Sequence, residues 1–391
     1  MIKHLFKLIW NKKKENFLLI SEILISFMVM FAVLTLLIYY YNNYKKPLGF
    51  NYDNVWTIRI EQPKQSGNKD SITLNHENLK NALLSLPKVR AVSYTSSNTP
   101  YSNSMMRTGL AYKHTNVLVD NYNVEASYAN VLKMQVVRGK WFSAEDKSAA
   151  IKSIVISASA GAKMGLTNPI GVVLGEKNEN RHRIIGVVAD FKDKGDFLKP
   201  DPGMYTLIDT SNVHYMDNIL VKVSSDADAA FEGRLYKLIA DTQKSSNLEI
   251  QHLSEARLIK NKEVILPMVI ILVVSGFLIF NVALGLFGVL WYNISKRKGE
   301  IGLRRAIGAT AAGVSWQLVG EALVLATFSL IIGSFFAIQF PLLNVFDLPA
   351  PVYLAALLLS IAFIYLLVII CALYPGKQAA AIYPAVALHE D

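Results

Sequence analysis

The residue types that carry out catalysis are present, but their spacing does not favour it. The seven histidines are scattered, and none pairs with another histidine or with the single cysteine, Cys371, at metal-ligand spacing. Neither the phosphate-cradling pattern GxxxxGK(S/T) nor the GxSxG nucleophile elbow occurs. Serine and aspartate are plentiful between residues 42 and 263, and we interpret them as solvated loop residues. The sequence therefore predicts no catalytic residue, no metal site and no cofactor on this chain.

A basic segment, Arg297–Thr310, instead has the pattern of a docking helix. The positive-inside rule alone would explain its arginines but not its small residues, which let another backbone approach closely. A short amphipathic helix at the membrane face, offered to a cytoplasmic partner, explains both. The candidate docking residues are Arg297, Glu300, Ile301, Gly302, Arg304, Arg305, Ala306, Gly308 and Ala309.

The composition indicates that this segment belongs to a membrane protein. Of the 391 residues, 52% are hydrophobic and only 18% are charged, against about a quarter in soluble proteins. The net charge of +10 could suggest nucleic acid. No basic and aromatic nucleic-acid module is visible, however, and basic residues also cluster at cytoplasmic helix ends. We therefore expect the membrane, and not nucleic acid, to be the partner of these charges.

Four apolar runs are long enough to span a bilayer, which takes about 20 residues. Short-loop charges set their orientation: residues 1–16 and the connection between the second and third runs are basic, whereas the connection between the third and fourth carries only Asp347. Both termini are therefore predicted to be cytoplasmic, in a multi-pass protein of the inner membrane. The predicted segments are a cytoplasmic basic N-terminus (1–16), helix one (17–41), an extracytoplasmic domain (42–263), helix two (264–292), a cytoplasmic coupling loop (293–313), helix three (314–340), a short extracytoplasmic loop (341–351), helix four (352–374, fenced by Pro375) and a cytoplasmic C-terminus (375–391).

The extracytoplasmic domain has a mixed α/β pattern. A strand–helix–strand unit is predicted at Val55–Ile60, Asn75–Leu86 and Val89–Ser96, and a second at Ile219–Val223, Ala227–Thr242 and Leu248–Leu253. Between them, an inserted subdomain at about 100–205 is predicted to be mostly β, with turn signals that include Pro200 to Gly203. A helical stalk is expected from Leu253 to Glu263.

Three polar residues lie inside the apolar runs. Glu22 and Glu321 are close enough to the cytoplasmic ends to pair with basic residues, and this structural role is favoured over a proton relay. Asn281 is expected to make an interhelical hydrogen bond, and Gly276, Gly285 and Gly288 to allow close helix packing.

The docking segment resembles the RxxEIG(I/L)R(R/M/K)A(I/L)GA signature of MacB/FtsX-type permeases of ABC transporters, from Arg297 to Ala309. The ending Tyr374-Pro375 with Pro384 to Glu390 resembles the end of these permeases. The segments Val136–Phe142, NPIG at 168–171 and IGVVADF at 185–191 resemble stretches of their periplasmic domain. The order of one helix, a large outer domain and three helices is also that of the family.

The resemblance implies a permease dimer, either of two identical or of two related chains. A separate cytoplasmic ATPase would carry ATP and magnesium, and the segment 300–309 would be its coupling helix. ATPase motion would pass through helices one and two to a periplasmic domain with porter-like units, in a mechanotransmission cycle that exports or extracts a periplasmic substrate, with or without an adaptor protein. The alternative is an FtsX-like lever that activates a periplasmic partner such as a cell-wall hydrolase. A membrane-anchored enzyme is the least favoured reading, because no catalytic constellation is visible.

Overall fold

The chain forms two compact units. The computed structural model describes residues 13–60, 69–175, 181–209, 213, 216, 218–243 and 247–380. Within them, the helical unit contains residues 13–42 and 266–380, and the α/β unit contains residues 43–265. The basic residues before residue 13, and the family-like ending after residue 380, lie outside the described residues.

The described helices are numbered in chain order. They are Lys13–Tyr44 (α1), Lys69–Leu84 (α2), Tyr128–Leu132 (α3), Ala158–Lys163 (α4), Ala229–Gln243 (α5), Leu253–Lys296 (α6), Lys298–Ala306 (α7), Ala311–Leu342 (α8) and Ala350–Ala380 (α9).

Four of these helices are long and apolar enough to cross a membrane: Phe17–Tyr44, Leu253–Lys296, Ala311–Leu342 and Ala350–Gln378. The predicted fold class, four apolar helices with a large mixed α/β segment after the first, is confirmed. The predicted stalk is continuous with the second span, since α6 runs for 44 residues through Pro267.

Helix α9 does not stop at Pro375, where the sequence predicted its end. Proline removes one helix hydrogen bond, but spanning helices tolerate this loss. Pro375 and Gly376 are both buried. A Cβ on Gly376 would lie 2.9 Å from the Ser315 hydroxyl, so packing against α8 holds this turn in place. Tertiary contact thus overrides the local stop signal.

The α/β unit contains one sheet of eleven strands in the order β11-β1-β10-β2-β4-β9-β6-β8-β5, with β3 on β4 and β7 on β8. The strands are Val55–Ile60 (β1), Val89–Thr95 (β2), Arg107–Tyr112 (β3), Thr115–Val124 (β4), Val136–Gly139 (β5), Lys152–Ser157 (β6), Val173–Leu174 (β7), His182–Val188 (β8), Gly203–Leu207 (β9), Asn218–Val223 (β10) and Leu248–His252 (β11).

The two strand–helix–strand units lie side by side, because β1 pairs antiparallel with both β10 and β11. Side chains alternate across a strand, so Trp56 and Ile58 face one side and pack with Leu79 of α2 and Phe231 of α5. Thr57 and the residues two positions before and after it on β1 face the other side of the sheet.

The inserted segment at about 100–205, predicted to be mostly β, contributes strands to the same sheet. Its strands are joined to the rest of the sheet by the pair Thr95 and Val124 of β2 and β4. The strands β3 and β9 were not predicted. Gly203, interpreted as part of a turn, begins β9, which pairs parallel with β4.

Two glycines of the family-like stretches have a structural reason. Gly139 and Gly186 face each other where β5 pairs with β8. A Cβ on Gly186 would lie 2.1 Å from the carbonyl oxygen of Lys140, and one on Gly139 would lie 2.3 Å from that of Ile185. The two glycines therefore let the two backbones approach closely.

We expect Gly186→Ala to lower the free energy of unfolding by more than about 2 kcal/mol, because a backbone oxygen cannot move aside as a side chain can. Thermal unfolding of the full-length protein measures the change. Gly233→Ala is the matched control, since no atom of the described residues lies within 4 Å of its Cβ position on α5 and alanine favours a helix. Equal unfolding temperatures for the two variants would contradict the prediction.

Candidate functional site

The candidate docking segment forms a helix of its own. Helix α7 spans Lys298–Ala306, and Gly308, at φ +104°, turns the chain after it toward α8. Ile301 is 3% exposed and packs with Ile294 and Val314. One face of α7 is thereby fixed against α6 and α8.

A network of charged side chains holds α7 to α8. Arg297 donates hydrogen bonds to Glu300 at 2.9 and 3.2 Å and to Glu321 of α8 at 2.7 Å. Arg304 donates to Glu300 at 2.6 Å and to Gln317 of α8 at 2.7 Å. The hydrogen bonds from Arg297 to Glu300, and then to Glu321, raise the pKa of Arg297. Movement of α7 is therefore coupled to α8 by charge-assisted hydrogen bonds.

The candidate docking residues differ in their environments. Ile301 and Gly302 are buried, whereas Arg297, Glu300 and Arg304 form the network. Arg305 is half-buried. The docking face, as we name it, is the exposed set of Leu303, Ala306, Ile307, Gly308 and Ala309.

Two members of the docking face were not among the predicted docking residues. Leu303 is 54% exposed and Ile307 is 79% exposed. The helical spacing of four residues between them could have indicated this apolar patch.

The intramembrane polar residues have different environments. Glu321 pairs with Arg297, as described. Glu22 lies against α6, where a Cβ on Gly285 would be 2.7 Å from its Oε1, and its Oε2 is buried with no hydrogen-bond partner among the described residues. Asn281 donates to the Phe277 carbonyl of its own helix at 2.8 Å, and the expected interhelical bond is not seen among the described residues. The Asn281 side chain faces outward, and its amide therefore bonds to the backbone carbonyl of the preceding turn.

A second constellation lies in the α/β unit. Lys192 is 2% exposed, and its ammonium donates to the carbonyls of Asn43 at 2.8 Å, Lys46 at 3.3 Å and Asp196 at 2.6 Å. Burial lowers the pKa of Lys192, and the Asp196 charge opposes this effect. The ammonium thus fastens the loop at 190–196 to the last turn of α1 and to Lys46 just after it.

Asp196 fastens the same loop to the first turns of α6. Its carboxylate, 4% exposed as a residue, accepts two hydrogen bonds from Arg257 at 3.0 and 2.7 Å and one from Asn261 at 2.8 Å. The Arg257 guanidinium also lies 4.5 Å over the Tyr52 ring. We call Lys192, Asp196, Arg257 and Asn261 the stalk clamp. The interpretation of aspartates in this domain as solvated loop residues is wrong for Asp196, because its partners come from distant segments.

Comparison with known proteins identifies the family. The model of the MacB-like periplasmic core domain matches residues 17–236, more than half of the chain, and that of the FtsX-like permease C-terminal domain matches residues 272–384. The chain belongs to the MacB/FtsX-type family of ABC transporter permeases. The expected resemblance is therefore confirmed, and the α/β unit is a MacB-like periplasmic-type domain.

Relatives in this family are distant and longer. A macrolide export ATP-binding/permease protein MacB of Bdellovibrio bacteriovorus is 24% identical over 315 residues, which are 73% of this chain and 46% of that protein. The protein of the same name from Neisseria gonorrhoeae is 23% identical over 364 residues, 88% of this chain and 53% of its own. The chain spans about half the length of these curated relatives. The crystal structure of the periplasmic region of MacB from Actinobacillus actinomycetemcomitans aligns with a TM-score of 0.39 and 18% identity, over 54% of this chain and 93% of that one.

No group of three metal-ligating side chains occurs in the described part of this MacB/FtsX-type permease. The prediction of no metal site is not tested by this observation. Among the described acids, one buried carboxyl group of the α/β unit has a strongly raised pKa.

That acid is Asp193, next to the stalk clamp in sequence. Burial raises its pKa to about 6, although the Tyr122 hydroxyl, which donates to it at 2.6 Å, opposes the shift. The carboxyl group binds a proton more readily in the folded than in the unfolded protein. Its ionisation therefore lowers the free energy of unfolding above pH 6, and this loss disappears as the pH falls toward 4. We expect this group alone to make the α/β unit more stable at pH 5 than at pH 7.5.

Asp193→Asn tests this contribution. The variant is expected to be more stable than the wild type by about 1–3 kcal/mol at pH 7.5 and nearly equal to it at pH 4, as measured by thermal unfolding of the full-length protein. Asp226→Asn, at a fully exposed carboxylate, is the control. A stability gain for Asp193→Asn that does not change with pH would contradict the assignment.

Proposed function

We propose that this chain is a permease subunit that transmits the motion of a separate cytoplasmic ABC ATPase to its periplasmic-type domain, to export or extract a periplasmic substrate. In this proposal, ATP and magnesium bind to the ATPase. The permease lies in the inner membrane, with both of its termini in the cytoplasm. The observation that carries the proposal is the docking face of α7, held to α8 by Arg297 and Arg304.

The chemistry of the docking face supports an ATPase as its partner. An exposed apolar patch next to a charged network is typical of a protein interface with an apolar centre and a polar rim. The positive φ of Gly308 and the small side chains of Ala306 and Ala309 let a second protein approach the backbone. The 391 residues contain no phosphate-binding loop, so the energy source is proposed to be another subunit.

The exposed surface of α6 supports a second permease as a further partner. Much of its apolar part is exposed, including Phe277 at 66% and Phe280 at 61%. No atom of the described residues lies within 4 Å of the Cβ positions of Gly276 and Gly288, so neither glycine makes room for another described part of the chain. Small residues on an exposed face of a spanning helix favour close helix association. The proposed dimer would pair this face with its copy or with a related chain.

Co-purification tests the function. The full-length protein is expressed together with the ABC ATPases of its source organism, and the tagged permease is purified in lipid nanodiscs. We expect the ATPase to co-purify and its rate of ATP hydrolysis to change on association. An ATPase that neither binds nor changes its rate would overturn the proposal.

A further inference from the structure

A polar cavity of about 340 Å³ lies within the α/β unit. It is on the side of the sheet opposite to Trp56 and Ile58, which face the helices α2 and α5. The loop at 97–104 and the first turns of α6 contribute its other walls. Its floor consists of residues that are cross-strand neighbours on β1, β10 and β11: Thr57, Arg59, Asn218, Glu249 and Gln251.

Hydroxyl groups without a partner are concentrated in this wall. Thr57 is 7% exposed and Tyr101 is 5% exposed. Their hydroxyls, and that of Ser102, are buried with no hydrogen-bond partner among the described residues. A buried hydroxyl left without a partner is costly, and the adjoining cavity has room for a molecule that supplies one.

The loop that carries Tyr101 is held in a defined shape. Tyr101 has φ +65°, a conformation that is strained for an aromatic residue. Its backbone N–H donates to the Asp193 carbonyl at 2.7 Å, and its ring lies 5.7 Å from that of Phe50. The Lys260 ammonium donates to Asn103 at 2.5 Å, which ties the loop to α6. Strain held in place by surrounding contacts is a property of pre-organised ligand sites.

The distribution of charge selects the ligand class. The charged lining residues Arg59, Glu249 and Glu263 are exposed to solvent. The buried polar groups of the lining belong mainly to residues that carry a hydroxyl. Glu263 pairs with the Lys260 ammonium at 2.8 Å. The opposite charges of Arg59 and Glu249 stand on neighbouring strands, so the lining has no excess charge that would select an ionic ligand. Hydroxyls both donate and accept, so they match a ligand that does the same. The hydroxyl-bearing lining residues are Thr57, Ser97, Thr99, Tyr101, Ser102 and Ser104.

We propose that this cavity binds a small uncharged polyhydroxylated molecule of one or two sugar rings. Its volume is at the lower end of the range of about 300–1,000 Å³ for small-molecule sites. The ligand hydroxyls pair with the inner wall, and the amides of Asn103 and Gln251 bind its outer edge. The site is independent of the ATPase and of the docking face.

Saturation-transfer NMR on the full-length protein tests the site, with glucose, maltose and N-acetylglucosamine as probes and trialanine as a peptide probe. The protein is held in lipid nanodiscs, because maltoside and glucoside detergents would compete for the site. Empty nanodiscs give the background. The test variant combines Thr57→Val with Tyr101→Phe, which removes two hydroxyls at nearly constant volume. The matched control is Tyr128→Phe, since that hydroxyl is also buried without a partner but does not line the cavity.

We expect at least one saccharide to give a saturable signal with the wild type and with Tyr128→Phe. The double variant should bind it at least fivefold more weakly, while its unfolding temperature stays close to that of the control. Three results would overturn the proposal: no saccharide signal above that of empty nanodiscs, equal binding by the double variant and the wild type, or a signal from trialanine alone.

Discussion

Glu300→Lys is expected to release the permease from its ATPase, with at least a tenfold loss in affinity. In the wild type, Glu300 accepts hydrogen bonds from both Arg297 and Arg304. The substitution places three cations together beside the docking face and leaves both arginines without this acceptor. The direct cost to the helix is small, since like charges four residues apart cost only about 0.2–0.5 kcal/mol. A large loss of binding would therefore come from the altered docking surface.

A charge swap separates damage to the helix from loss of docking. Glu300→Lys combined with Arg304→Glu restores an opposite-charge pair at the same spacing but reverses the charge pattern offered to the partner. We expect the swapped protein to fold as the wild type does and still to lose the ATPase. The swapped protein keeps the net charge of the wild type, and Glu77→Lys, at an exposed position in the α/β unit, controls for the charge change of Glu300→Lys alone. Titration of purified ATPase onto nanodisc-held permease gives the affinities, and wild-type binding by the swapped protein would rule out the docking helix.

The elements that the sequence predicts well are those whose signal is local. The four spanning helices follow from uninterrupted apolar runs, which are longer than any soluble element needs. Helix α7 is predicted from its charged and small residues. The unit β10–α5–β11 is predicted because the spacing of its apolar residues changes from that of a strand to that of a helix and back.

The elements that escape prediction depend on distant partners. Strand β9 has only Gly203–Leu207, preceded by proline, and exists because it lies between β4 and β6. Helix α9 passes Pro375 because its next turn packs on Ser315. In both cases a contact far along the chain outweighs the local preference of the residues.

The site is predictable to the same extent. The docking residues could be named from their own segment, but the Arg297–Glu321 bond joins positions 24 residues apart. Lys192 looks like a solvated lysine in a charged loop, and its acceptor at Asn43 lies 149 residues away. Only the folded chain shows that this lysine is 2% exposed.

Breaking the stalk clamp is expected to have the largest effect within the α/β unit. Arg257→Met leaves the Asp196 carboxylate buried without its cation. Losing one partner of a buried pair typically costs about 3–5 kcal/mol, and we expect about 2–4 kcal/mol because a quarter of the Arg257 side chain, 26%, is exposed. Lys88→Met, which removes surface ion pairs to Asp226 and Asp228, is the matched control and should cost less than about 1 kcal/mol. Thermal unfolding of full-length protein compares the two variants.

A double variant then separates stability from transmission. Asp196→Asn together with Arg257→Met removes both charges of the pair, so part of the lost stability should return, while the buried Lys192 ammonium loses the favourable Asp196 charge. The ionic tie between the loop at 190–196 and α6 remains absent. In the complex with the ATPase, a non-hydrolysable ATP analogue should change hydrogen exchange at residues 43–60 in the wild type and in Lys88→Met, and should change it little in the double variant. The stalk clamp is proposed to pass movement of α6 to the residues after α1, so an unaltered exchange response in a stable double variant would show that the movement takes another route.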